Sequence, residues 1–197
     1  MPLPALLRSR PLALAALLFG GTTACAAPLP DELPGGSANE PVAALDLDRY
    51  DGRWHEVARL PMFFQRKCVD DTTATYTRRD DGRITVTNAC RTEEGMIETT
   101  GVARPTDVPG ALEVRFAPDW LGWVPMVWAD YWVVDLDPDY RWAVVGGPSQ
   151  DAMWILSREP TLDPALFERL QQRAEARGYR PAELVVDPDQ RARMAAE

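Results

Sequence analysis

The sequence carries a single histidine, His55, and three cysteines, and nowhere does it set His, Cys, Asp and Glu at the spacings that hold a metal. That scarcity leaves little for nucleophilic, acid–base or metal chemistry, so the chain is expected to be a non-enzyme with no metal or other cofactor. Membrane-crossing apolar runs are lacking too. The N-terminal run at 12–21 has ten residues, whereas a spanning helix needs about 20. Basic groups are short relative to acidic ones. With residues 1–25 set aside, which hold two Arg and no acid, 19 basic groups face 30 acidic ones, a net charge of −11. Such a surface repels phosphate backbones, which excludes nucleic acid as a partner, and it disfavours a purely electrostatic grip on anionic lipid. There is no internal repeat and no low-complexity tract.

What is present falls into distinct stretches. Arg8 and Arg10, the apolar run, and then Thr22-Thr23-Ala24-Cys25-Ala26-Ala27 follow the order of a secretory signal peptide, placed at residues 1–24. Residues 25–44, with Pro28, Pro30, Pro34, Gly35, Gly36, Ser37 and Pro41, read as an extended linker. Export permits disulfides, and three cysteines leave one over. Cys68 and Cys90 lie inside the folded region and are expected to form a bridge, whose loop closure contributes ~3 kcal/mol; Cys25, where the signal ends, has another role. Residues 45–188 suit one domain, and 189–197 are expected as a C-terminal tail.

From Gly52 onward, short strands alternate with turn signals. Strands are expected at about 52–60, 72–79, 83–90, 96–104, 111–117, 128–136, 140–146 and 152–158. Turns fall at Asp80-Asp81-Gly82, 105–110, Asp137-Pro138-Asp139 and Gly146-Gly147-Pro148. This is an all-β pattern. Eight strands with short connections form an antiparallel up-and-down barrel, which removes every sheet edge and leaves room for one small ligand. Leu112, Val114 and Phe116 alternate with Glu113 and Arg115, and Ile84 and Val86 with Thr85 and Thr87, so the apolar sets line an interior. The segments at 131–134 and 142–145 are apolar on both faces, so one face meets the lumen and the other a packed helix or a partner. That helix is expected at 164–177, with Asp163 as N-cap, Pro164 in the first turn, Gly178 at its end and Leu166, Phe167, Leu170 and Ala174 as the stripe laid on the barrel. Residues 183–186 add a short strand.

A barrel that holds a ligand must be shut at one end. Trp54 offers a flat floor, and a guanidinium over an indole gains roughly 0.5–2 kcal/mol; Arg158 is placed to supply it and clasp the two ends of the sheet. Gly52-x-Trp54 opening the first strand and Trp154-Ile155-Leu156-Ser157-Arg158 closing the last resemble the lipocalin signature. The resemblance covers about residues 45–188, with 131–140 in the position of the second lipocalin motif. Trp54-His55-Glu56-Val57-Ala58-Arg59 and Thr73-Ala74-Thr75-Tyr76 narrow it to the bacterial outer-membrane lipoprotein lipocalins and their apolipoprotein D relatives, with His55 where Tyr is usual. Residues 119–128 are more aromatic than the family requires; a lid, a membrane-touching tip and a dimer surface all suit them.

The resemblance implies a lipid-anchored outer-membrane protein that faces the periplasm and binds, stores or transports fatty acids or (lyso)phospholipids, and it suggests a homodimer. Thr23-Ala24-Cys25 resembles the acylation site of bacterial lipoproteins, with Thr22 where Leu is usual; ordinary cleavage after Ala26 or Ala27, giving a soluble periplasmic protein, is the alternative. Ala26 after Cys25 implies outer-membrane delivery. The ligand-binding set at the lumen and mouth is Glu56, Ala58, Arg59, Phe64, Ile84, Val86, Leu112, Val114, Phe116, Trp128 and Tyr131, with Gly52, Trp54 and Arg158 as the closure. Arg59, near the open end, is a contact for a phosphate or carboxylate. Two other functions remain open: a binder of a cyclic hydrophobe such as haem or bilin, which would use His55, and a barrel enzyme acting on an amphiphile, which would need Glu56 and Asp135 as an inward acid/base pair.

Overall fold

The computed structural model describes residues 38–196; the signal peptide, Cys25 and most of the linker lie outside them. Eight antiparallel strands run β1 (Gly52–Arg59), β2 (Asp70–Arg78), β3 (Ile84–Thr92), β4 (Gly95–Pro105), β5 (Ala111–Arg115), β6 (Ala129–Leu136), β7 (Trp142–Gly146) and β8 (Trp154–Ser157). Each pairs with the next, and β1 pairs with both β2 and β8, which closes the barrel. All eight expected strands form, with ends displaced by a few residues. β7, for example, starts at Trp142 rather than 140, because a turn in which the Tyr140 N–H donates to the Asp137 carbonyl (2.8 Å) occupies the intervening positions.

Two apolar layers share the sheet. The inner one gathers Trp54, Tyr76, Ile84, Val86, Leu112, Val133, Val145 and Leu156. The outer one joins Ala58, Val134, Trp142, Val144 and Ile155 to Phe167, Leu170 and Ala174. Those last three belong to α2 (Pro164–Ala176), which begins where the Asp163 carboxylate accepts from the Leu166 N–H. The strands that are apolar on both faces, β6 and β7, are thus the ones with lumen on one side and this helix on the other.

Two β-bulges sit under the same helix. In β1, Glu56 faces Leu156 and Ala58 faces Ile155, so Val57 is an extra residue. In β6, Val133 faces Val145 and Asp135 faces Val144, which makes Val134 extra. An extra residue inverts the alternation beyond it, because side chains change face every residue.

The remaining elements complete the edges. A short helix, α1 (Leu47–Tyr50), capped by Asp46, precedes the barrel. A two-residue strand, β9 (Val185–Val186), pairs with Ala58 and Arg59 of β1, beyond the stretch from Gly52 to His55 that pairs with β2. The segment expected as a tail holds a further helix, α3 (Pro188–Ala195). Its Gln190 is fully buried and accepts from the Leu162 N–H (2.7 Å).

Candidate functional site

Strand direction defines two ends. Gly52, the β6–β7 turn and Arg158 mark the base; the β1–β2, β3–β4, β5–β6 and β7–β8 connections surround the mouth. At the base, the Arg158 guanidinium carbon lies 3.9 Å from the Trp54 ring centroid. The same group donates to the carbonyls of Arg49 (2.7 Å), Asp51 (2.9 Å) and Arg53 (2.9 Å). Gly52 is favoured there by its φ of +97°, and a Cβ would press on Arg158 Nη1 at 3.3 Å. Trp54 is fully buried and its indole N–H donates to the Tyr50 carbonyl (2.9 Å).

Three tyrosines stand over this floor. The Tyr131 hydroxyl is 2.7 Å from that of Tyr50 and 2.7 Å from that of Tyr76, and the Tyr50 ring packs 4.9 Å from Trp54. Burial pushes all three phenols above their ordinary range, so they stay protonated. Higher on the same wall is a second polar group. Arg59 donates to one Glu56 carboxylate oxygen and Gln65 to the other, both at 2.7 Å, and the Trp154 indole donates to Gln65 (3.1 Å). Burial raises the Glu56 pKa, and Arg59 and Gln65 partly offset it. The β1–β2 connection is thereby pinned to the inner wall through Gln65, and the Cys68–Cys90 disulfide ties it to β3.

Between these groups the wall is apolar. Ile84, Val86 and Leu112 are buried on it, Val114 is half-buried, and Phe116 lies over Gly101, where a Cβ would sit 2.7 Å from the Phe116 ring. Phe64 stands exposed at the mouth, packed edge-on against Phe63 at 5.3 Å.

Three expectations need correction. Ala58 lies in the outer cluster beneath α2, because the Val57 bulge inverts the alternation that would have turned it inward; the same bulge turns Arg59 in. Trp128 also lies outside. Ala129 faces Val114 on the inner side, so the preceding residue points out, where Trp128 stacks under Arg104 (4.1 Å) and Arg115 (5.2 Å). Asp135 follows the second bulge and faces α2, bound by Arg173 at 2.7 and 2.8 Å. Glu56 and Asp135 are therefore on opposite faces of the sheet and form no acid/base pair. His55, flanked by inward Trp54 and Glu56, faces out of the barrel, where no ligand in the lumen meets it.

Sequence inspection missed Tyr50, Tyr76, Gln65 and Trp154 as inner-wall residues. Tyr76 and Trp154 lie within the lipocalin-like motifs; Tyr50 and Gln65 sit outside the strands, where alternation gives no signal.

A barrel with a clasped floor, an apolar inner wall and a few buried polar groups is a binding protein for hydrophobic ligands. The chain belongs to the lipocalin-like family, whose domain model matches residues 45–189. It is 40% identical over 144 residues to temperature-induced lipocalin-1 of Arabidopsis thaliana, covering 71% of this chain and 77% of that one. With outer membrane lipoprotein Blc of Escherichia coli (strain K12) the identity is 36% over 177 residues, 88% of this chain and 93% of the relative. Apolipoprotein D of Mus musculus is 31% identical over 137 residues, 64% of this chain and 67% of its own. Among solved structures, insecticyanin of the tobacco hornworm Manduca sexta has the same fold (TM-score 0.57, 20% identity, 82% of this chain and 90% of that one).

Proposed function

We propose that this lipocalin is exported, acylated at Cys25 and held at the outer membrane facing the periplasm, where it binds or carries fatty acids or lysophospholipids. The observation that carries this is the inner wall: Ile84, Val86, Leu112, Val133, Val145 and Leu156 gather around Trp54, with the three tyrosines and the Glu56–Arg59–Gln65 group as its polar part. At ~0.8 kcal/mol per CH₂, burying a sixteen-carbon chain offers roughly 13 kcal/mol gross, whereas micromolar affinity needs about 8 net. The wall supplies affinity, and the polar groups choose among head groups. The name of the Escherichia coli relative, an outer membrane lipoprotein, supports the anchor and the location.

The test is native mass spectrometry of the mature protein from its own membrane fraction, followed by identification of what it releases. A stoichiometric fatty acid or lysophospholipid and an acylated Cys25 are expected. An empty barrel that takes up no fluorescent fatty acid after delipidation would refute the function, and an unmodified N-terminus would refute the anchor.

A further inference from the structure

We propose that the mouth of the barrel docks against the surface of a phospholipid bilayer, through aromatic side chains on opposite rims of the opening; this rests on the reading of the chain as a lipid-anchored carrier.

The exposed apolar side chains are distributed by end. Phe63 (76% exposed) lies in the β1–β2 connection, and Trp120 (73%), Trp123 (81%) and Met126 (92%) in the β5–β6 connection. Every exposed Phe or Trp among the described residues is at the mouth, and the base shows Val108 alone of the large apolar side chains. Around an eight-stranded ring, the β1–β2 and β5–β6 connections are half a turn apart. A flat surface laid across the opening meets both. A lid folded onto the lumen would instead bury these side chains, and they are nearly free.

Chain direction bears on the same end. The described chain begins at the mouth end: the Asn39 amide donates to the carbonyl of Gly147, just past β7, at 2.9 Å, and Asn39 accepts from the Tyr179 hydroxyl. From there the chain passes Val42, which contacts Gly110, and reaches the base at α1. Cys25 is thirteen residues before Ala38 in the sequence. Under the proposed function, the chain from Cys25 enters the described barrel at the end that carries the exposed aromatics.

The chemistry of the rim suits an interface. Trp side chains concentrate where hydrocarbon meets head groups. Arg66 and Lys67, the only lysine in the chain, follow Phe63 and Phe64 and stand exposed in the same connection. Glu93 and Glu94 form the exposed tip of the β3–β4 turn and repel an anionic surface. The docking is therefore apolar first, and zwitterionic phosphatidylcholine or phosphatidylethanolamine is the partner.

The experiment uses the mature, acylated protein in phosphatidylcholine vesicles whose acyl chains carry bromine. Tryptophan emission is expected to be quenched by the bromolipid and shielded from iodide in the water. Phe63→Glu/Met126→Glu leaves every tryptophan in place and puts charge on both rims. It should lose most of the quenching while taking up fluorescent fatty acid in solution as the parent does. Acylated, fatty-acid-binding protein whose tryptophans stay unquenched, or are quenched equally in the variant, overturns the docking and leaves the proposed function standing. Rim-dependent quenching in protein without acyl chains also upholds the docking and shows that the rim binds without the tether. A dimer that the variant dissolves, with no bromolipid quenching, overturns the proposal in favour of a second copy as the occupant.

Discussion

At the base of the barrel the largest side chains are buried and bonded to one another, whereas at the mouth they stand in water. Trp54 is fully buried and Trp123 is 81% exposed, although both are indoles of the same chain. The base has an arginine bonded to four carbonyls and a helix laid across it; the mouth has longer connections, one disulfide and one glutamine holding its rim inward. The contrast separates two tasks. Stability is concentrated where the barrel must stay shut, and apolar surface is left uncovered where something must enter.

If that division is right, damage at the base costs the most. Trp54→Ala removes a fully buried indole and the face on which Arg158 rests, and should destabilise by about 3–5 kcal/mol. A loss of unfolding free energy below about 1 kcal/mol in urea titration would show that the floor is not the anchor point of the fold. Next in size is the mouth. Replacing Cys68 and Cys90 by Ala releases the β1–β2 connection and should cost about 3 kcal/mol at most, by loop entropy. Hydrogen exchange should rise around residues 60–69 and leave Trp54 and its neighbours protected; uniform acceleration would erase the distinction between the ends.

The smallest effect lies midway up the wall. Burial raises the Glu56 pKa above 4.5, so between 4.5 and its native value the folded state keeps a proton that the unfolded state has released. Its contribution to stability is complete below 4.5 and is lost as pH rises through the native value. Glu56→Gln should therefore flatten the fall in stability above pH 4.5, by at most ~1.4 kcal/mol per pH unit, the limit for one proton. Parallel pH curves for the two proteins would mean that Arg59 and Gln65 compensate the burial fully.

Features carried by local pattern were legible in the sequence. Eight strands, the helix at 164–176 and the pairing of Trp54 with Arg158 follow from turn residues, alternation and a guanidinium's affinity for an indole. Ala58, Asp135 and Trp128 show where such inference stops. Ala58 and Asp135 follow an inserted valine that no composition signal marks, so a period of two carried past Val57 or Val134 assigns the wrong face. Trp128, expected inside a strand at 128–136, precedes the first residue of β6 and stacks outside the barrel under two arginines. The polar groups of the inner wall escaped for another reason. Tyr50 and Tyr131 are 81 positions apart, and Gln65 meets Trp154 across 89; only closure of the ring brings them together.

The three tyrosines over the floor have a consequence that concerns protons alone. Three hydroxyl protons serve two hydrogen bonds among them, so one is always surplus, and it resides on Tyr50, Tyr76 or Tyr131 according to how the other two are turned. The heavy atoms are the same in all three arrangements. The floor has therefore no fixed polarity: a polar group arriving from above is met by a donor or by an acceptor through rotation about C–O bonds, without the displacement of a single ring.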